Sequence, residues 1–183
     1  LFNRIIKRRK AIVEEFGPTT RDRIAAIVDW SGKTFELIDT PGLNLEGKTD
    51  LSMLIEKQIM FGIKEADQLI FVCDAIAGIL QMDYRICEIL RKADKKITLA
   101  VNKVDNIKLA QKAEDFHSLG FGEPLKISSL HGLGIADLLD EVVKNIIQDT
   151  GDAHGIERAV KLAVVGKPNA GKSSFVNSVL GEE

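Results

Sequence analysis

Gly166-Lys167-Pro168-Asn169-Ala170-Gly171-Lys172-Ser173 is the stretch on which the reading of this chain turns, and it has the form GxxxxGKS. The apolar run Val160-Lys161-Leu162-Ala163-Val164-Val165 precedes it, and the helix-compatible Ser174-Phe175-Val176-Asn177-Ser178-Val179-Leu180 follows. Strand, glycine loop and helix in that order are the context a phosphate-binding loop requires. The glycines let successive backbone N–H groups turn inward on a di- or triphosphate. Lys172 adds a point charge, and the helix N-terminus adds its dipole. Gly166, Lys167, Pro168, Asn169, Ala170, Gly171, Lys172, Ser173 and Ser174 are therefore candidate phosphate-binding residues, with the Ser173 hydroxyl a candidate magnesium ligand. The alternative, a glycine-rich turn with no ligand, has the flanking strand and helix against it. Only ten residues follow Ser173, so the other parts of a nucleotide-binding domain must be sought upstream.

Upstream, helical periods alternate with buried apolar strands. Ile24 to Trp30 and Thr34 to Asp39 read as two strands of a hairpin around Ser31-Gly32-Lys33. Leu51 to Ala66 has helical period, Gln68 to Asp74 is a nearly continuous apolar run of strand length, and a helix spans about Met82 to Ala93. Ile97 to Val101 is a further strand, Ile107 to Leu119 a helix, Leu125 to Ile127 a short strand and Ile135 to Ile147 an amphipathic helix. This alternation predicts an α/β fold: a doubly wound, mostly parallel sheet with helices on both faces and the ligand at the carboxyl ends of the strands.

The candidate motifs fall at that edge. Asp39-Thr40-Pro41-Gly42 ends a strand in a sharp turn. Asp39 is placed to hold a magnesium ion through water, and the Gly42 amide to face a terminal phosphate. On its own this is equally a plain strand exit. Asn102-Lys103-Val104-Asp105 ends the next buried strand. Asp105 can accept two hydrogen bonds from the N1–H and exocyclic amine of guanine, a pair adenine does not offer. Asn102 braces the neighbouring loops, and the Lys103 stem can cover the ring face. In isolation this too is a solvated strand exit; in register with the other motifs it is not. Ser128-Ser129-Leu130 opens a loop whose amides could contact the guanine oxygen, while His131 reads as a packing or capping residue rather than a base.

Composition sets bounds. The 183 residues are 45% hydrophobic and 28% charged, with a net charge of −2, so no overall basic field demands a nucleic-acid partner. Lys7-Arg8-Arg9-Lys10 is a local cluster, read as a solvated helix end. Cys73 and Cys87 lack metal-ligand spacing and read as reduced core thiols of a cytoplasmic protein. No apolar run approaches a membrane span, so no membrane partner is expected. The chain opens inside an amphipathic pattern, and an N-terminus cut from something longer is expected.

Taken together, the loop around Thr20 (PTTRDR), DTPG, NKVD, SSLHG and GKPNAGKS resemble the motifs of translation-factor-class GTPases. More narrowly, TRDR, the run from Glu65 to Asp74, SLGFGEP (Ser118 to Pro124) and SSLHGLGIADLLDEV (Ser128 to Val142) resemble the Der or EngA family of tandem GTPases. The relatives Era and MnmE, which act on rRNA or tRNA, share only the generic motifs. The resemblance implies a Ras-like G-domain fold and hydrolysis of GTP to GDP, with magnesium held by Ser173, Thr20 and Asp39. It also implies a role in assembly of the large ribosomal subunit through that subunit or its rRNA. Lys172, Asn169, Thr20 and Gly42 would carry the catalytic roles, and Gly42 would sense the terminal phosphate. Leu43 stands where many small GTPases keep a glutamine that orients water. Asn169 resembles the potassium-coordinating asparagine of related GTPases, so K+ is a possible further cofactor.

Phe175-Val176-Asn177-Ser178-Val179-Leu180 repeats the pattern of Leu1-Phe2-Asn3-Arg4-Ile5-Ile6, so the helix after the phosphate loop occurs twice. The expected organisation is a first G domain over 1–149 without its own first strand and phosphate loop, a linker over 150–159, and over 160–183 the first strand, loop and helix of a second G domain. The last segment has the motif complement to complete the first domain, within the chain or by strand exchange between copies. Nucleotide binding without hydrolysis, and an inert piece that contacts rRNA or protein, are the competing readings.

Overall fold

Gln68–Asp74 carries no alternation of apolar and polar residues, and a strand of that kind has to be covered on both faces. All seven of its residues are buried, and this strand, β4, lies inside the sheet. The structure is a computed structural model that describes residues 12–13, 24–39, 51–144 and 160–181. Its other strands are β1 (Ile12–Val13), β2 (Ile24–Trp30), β3 (Lys33–Asp39), β5 (Lys96–Asn102), β6 (Leu125–Lys126) and β7 (Val160–Val165). The helices are α1 (Leu51–Glu65), α2 (Gln81–Leu90), α3 (Ile107–Glu114), α4 (Ile135–Lys144) and α5 (Lys172–Leu180).

The strand order among the described residues is β1-β2-β3-β7-β4-β5-β6. β1, β2 and β3 pair antiparallel, whereas β3, β7, β4, β5 and β6 run parallel, so the sheet is mostly parallel. The last strand in sequence is thus a central one in space. β7 pairs with β3 from Phe35↔Val160 to Asp39↔Val164, and with β4 from Gln68↔Leu162 to Phe71↔Val165. This register brings the carboxyl ends of β3, β7, β4 and β5 to one edge.

Successive residues of the central strands point to opposite faces. Ile70, Val72, Leu162 and Val164 pack on one side with Leu138, Leu139 and Val142 of α4 and Phe175, Val176 and Val179 of α5. Leu69, Phe71, Cys73, Ala163 and Val165 pack on the other with Ile59 of α1 and Ile86, Cys87 and Leu90 of α2. Burying each large side chain fully contributes about 1.5–3 kcal/mol, so the two layers together hold the sheet. Burial pushes the Cys87 thiol up to about 11 and raises Cys73 further, which keeps both protonated and unreactive at neutral pH.

Several element boundaries differ from the sequence reading. β3 starts at Lys33, because Ser31 and Gly32 alone make the turn, with φ of 49° and 79°. Both values are positive, as a two-residue hairpin of matching twist requires. The helix expected over Ile107 to Leu119 ends at Glu114 and tightens into a 3₁₀ segment over Asp115–Leu119, closed by left-handed Gly120. The helix after β4 runs Gln81–Leu90 rather than to Ala93, and the edge strand β6 covers Leu125–Lys126 only. The amphipathic segment 1–6, the linker 150–159 and the ends of the expected helix at 145–147 lie outside the described residues.

Candidate nucleotide-binding site

The loop from Gly166 to Gly171 leaves β7 at the carboxyl edge and enters α5, whose first residue is Lys172. Its glycines are used for space as well as for conformation. A Cβ on Gly166 would meet the Val72 carbonyl oxygen of β4 at 2.3 Å, and one on Gly171 would meet Asn102 Nδ2 at 2.1 Å. Gly171 has φ 91°, and Asn169 adopts φ 61°, a left-handed conformation that asparagine tolerates better than most residues. Pro168 and Asn169 are exposed at the tip, while Ala170 is buried.

Lys172 and Asp39 form the charged centre. The Ser173 hydroxyl donates to Asp39 Oδ2 over 2.6 Å, and the Lys172 ammonium donates to the Lys167 carbonyl over 3.2 Å. Burial raises the Asp39 carboxyl above its ordinary value, while the Ser173 hydrogen bond and the Lys172 charge pull the other way. Burial likewise depresses the Lys172 ammonium, opposed by Asp39. Asp39 Oδ1 is buried, and no hydrogen-bond donor among the described residues reaches it. Such an open buried acceptor beside a hydroxyl has the oxygen chemistry that a hard cation would satisfy.

Asn102, which is 2% exposed, joins three elements. Its Nδ2 donates to the Ala170 carbonyl over 2.9 Å, and its Oδ1 accepts from the Ser129 amide and hydroxyl, each at 3.0 Å. The phosphate loop and the Ser128-Ser129-Leu130 loop are thereby held to the end of β5. Ser128 is buried and takes part in an isolated bridge with Leu133, while Leu130 is 86% exposed. Asp105 is exposed, and its Oδ1 accepts from Asn106 Nδ2 over 2.8 Å while Asn106 caps α3 through the Leu109 amide.

Four relationships were not legible as motifs. Lys103, at φ 68°, places its ammonium 2.6 Å from Asp74 Oδ2, and Asp74 Oδ1 accepts the Ile76 and Ala77 amides. Burial works against the Asp74 charge, but these partners outweigh it and hold the carboxyl below its usual range. Lys167 makes a buried ion pair with Asp83 of α2 at 2.8 Å. Ser129 supplies a hydroxyl as well as an amide to Asn102. Only the sequence Asp74-Ala75-Ile76-Ala77, an acid at a strand end before small residues, carried any local hint of an Asx turn. The sequence-predicted residues Thr20 and Gly42 lie outside the described residues; among the rest, hydrogen bonds bring Asp39 to Ser173 and Asn102 to Ala170 and Ser129, whereas exposed Asp105 meets Asn106 and Lys103 meets Asp74.

Residues 1–103 match the sequence profile of the family described as "50S ribosome-binding GTPase", which is more than half of the chain. The chain belongs to the 50S ribosome-binding GTPase family. Among curated proteins it is 46% identical over 183 residues to "GTPase Der" of Lactobacillus delbrueckii subsp. bulgaricus, covering 100% of this chain and 41% of that protein. It is 43% identical to "GTPase Der" of Staphylococcus haemolyticus and 45% identical to that of Caldanaerobacter subterraneus subsp. tengcongensis, with 42% of each covered. The chain therefore spans about two fifths of the length of these relatives. Among solved structures, YjeQ from Thermotoga maritima aligns with a TM-score of 0.45 at 14% identity, covering 93% of this chain and 64% of that one. No described helix is long and apolar enough to cross a membrane.

Proposed function

We propose that this member of the 50S ribosome-binding GTPase family binds GTP and GDP with magnesium, hydrolyses GTP, and acts as a switch in assembly of the large ribosomal subunit. The observation that carries the reading is the junction of Ser173, Asp39 and Asn102: strand ends β3, β5 and β7 converge on one glycine loop. On this reading 160–181 completes the unit begun by 24–144, with β7 as the strand next to β3. The same strand supplied by a second copy would give the same site, and sedimentation of the chain distinguishes the two.

In that site the amides of Gly166 to Ser174 and the Lys172 ammonium bind the phosphates. Ser173 and Asp39, whose open Oδ1 suits a hard oxygen-loving ion, would hold Mg2+, which when bound neutralises charge on the phosphate oxygens. Asp105 reads the guanine edge, Lys103 lies over the base while Asp74 fixes its ammonium, and the Ser129–Leu130 backbone lies beside the guanine oxygen. Asn169, at the exposed loop tip, would bring a K+ ion to the phosphates. Thr20 and Gly42 keep the roles the motifs assign them. The ribosomal partner is proposed from the family description and the cytoplasm from its place of action. Calorimetry with GDP and magnesium on the chain and on Lys172→Ala tests the reading: binding lost in the variant supports it, and no heat with the unmodified chain rejects it.

A further inference from the structure

We propose that Asp83 is a positioning residue for the phosphate loop, acting through Lys167; this rests on the reading that the loop binds nucleotide phosphates. Lys167 Nζ lies 2.8 Å from Asp83 Oδ2, with side-chain exposures of 8% and 0%, and also donates to the Gly78 carbonyl over 3.3 Å. Asp83 is itself held, since its Oδ2 accepts the Leu80 amide at 2.8 Å in the first turn of α2. Its Oδ1 is buried and reached by no donor among the described residues.

A buried ion pair loses in desolvation roughly what it gains in attraction, so stability alone is a weak reason for this one. Its position supplies a better reason. Lys167 is the second residue of the loop, and its carbonyl accepts both the Lys172 ammonium at 3.2 Å and the Ala170 amide at 3.4 Å. Asp83 therefore holds, through one side chain, the peptide on which the phosphate-binding lysine rests. Asn102 holds the far end of the same loop at Ala170. Between the two anchors Asn169 adopts its left-handed conformation. A loop released at its Lys167 end would have to be ordered by the ligand, and that cost appears as lost affinity. The pair also neutralises the second cation of the loop, leaving Lys172 as its other charge.

GDP titrations in magnesium test this on the full chain, with Lys172→Ala alongside. Asp83→Asn and Lys167→Met are each expected to weaken GDP at least tenfold, while Lys167→Arg, which keeps a cation for Asp83, stays within threefold. Asp83→Asn/Lys167→Met removes both charges and is expected to keep the unmodified thermal midpoint yet retain the tenfold loss. Asp83→Asn/Lys167→Gln, which keeps a neutral hydrogen bond across the pair, recovers part of it. A folded Asp83→Asn/Lys167→Met variant with undiminished affinity, while Lys172→Ala loses binding, overturns the positioning role alone. Absence of GDP binding by the unmodified chain overturns the nucleotide reading and this proposal together.

Discussion

Ser173 and Asp39 are 134 positions apart in sequence, and the Ser173 hydroxyl donates to Asp39 Oδ2 over 2.6 Å. The contact joins the first turn of α5 to the end of β3, and it exists because β7 pairs with β3 in a register that sets Asp39 opposite Val164. It also keeps a carboxylate buried with one oxygen open, at a cost in stability that a bound cation would offset.

Asp39 gives a pH signature. Burial raises its folded pKa above the ordinary 3.8, so its stabilising contribution belongs to low pH and is lost as pH rises through the folded value. Asn at this position does not titrate. Asp39→Asn is therefore expected to raise the thermal midpoint of the chain at pH 7 without nucleotide or magnesium, and the difference should close as pH falls towards 3.8. The same variant should lose magnesium-dependent GDP affinity. A midpoint difference that is constant with pH would show that Asp39 titrates normally.

Lys172 should show opposed effects on stability and binding. Its folded pKa is depressed below 10.5 by burial, so the charged form weighs on the folded state at neutral pH, and that weight lifts as pH rises towards 10.5. Lys172→Met is expected to melt no lower than the unmodified chain at pH 7 and yet to bind GDP roughly tenfold to hundredfold more weakly, the range for a lost charged hydrogen bond. Paired melting curves and titrations read both effects.

Asn102→Ala should be costly without touching ligand. It removes the partners of the Ala170 carbonyl and the Ser129 amide together, and each buried group left unpaired costs about 1–3 kcal/mol. We expect a fall of about 2–6 kcal/mol in unfolding free energy with an unchanged urea m value. A drop below 1 kcal/mol would mean that solvent replaces both bonds.

Asp105 carries base selectivity by hydrogen-bond complementarity. An amide in its place offers a donor to the C2 oxygen of xanthine and withdraws an acceptor from guanine. Asp105→Asn should lose GDP at least tenfold and prefer xanthosine diphosphate, as competition titrations can read. Its side chain is exposed, so stability should stay within about 0.5 kcal/mol.

Turnover should depend on the monovalent ion if Asn169 brings one to the phosphates. GTP hydrolysis is expected to be faster in K+ than in Na+ at equal ionic strength, and Asn169→Ala should remove the difference. Equal rates in the two salts would remove K+ from the mechanism.

The parts of this protein legible in its residues are the local ones. GxxxxGKS between an apolar run and a helical period, an acid at the end of β3, and Asn102 to Asp105 at the end of β5 announce themselves through spacing, because loop chemistry and strand ends depend on neighbours in sequence. Element type was likewise legible, since both faces of β4 had to be covered. Helix ends were less so: the stretch from Asp115 to Leu119 has a helical pattern, and its tightening to a 3₁₀ turn before left-handed Gly120 follows from how Phe116 and Leu119 pack into the core. Tertiary structure alone decided which side chains meet. Sheet register set Ser173 against Asp39, and the approach of α2 to the loop gave Lys167 its counter-charge. The positive φ at Lys103 turned its ammonium to Asp74. Such contacts depend on the relative placement of residues tens of positions apart, a distance at which periodicity carries no information.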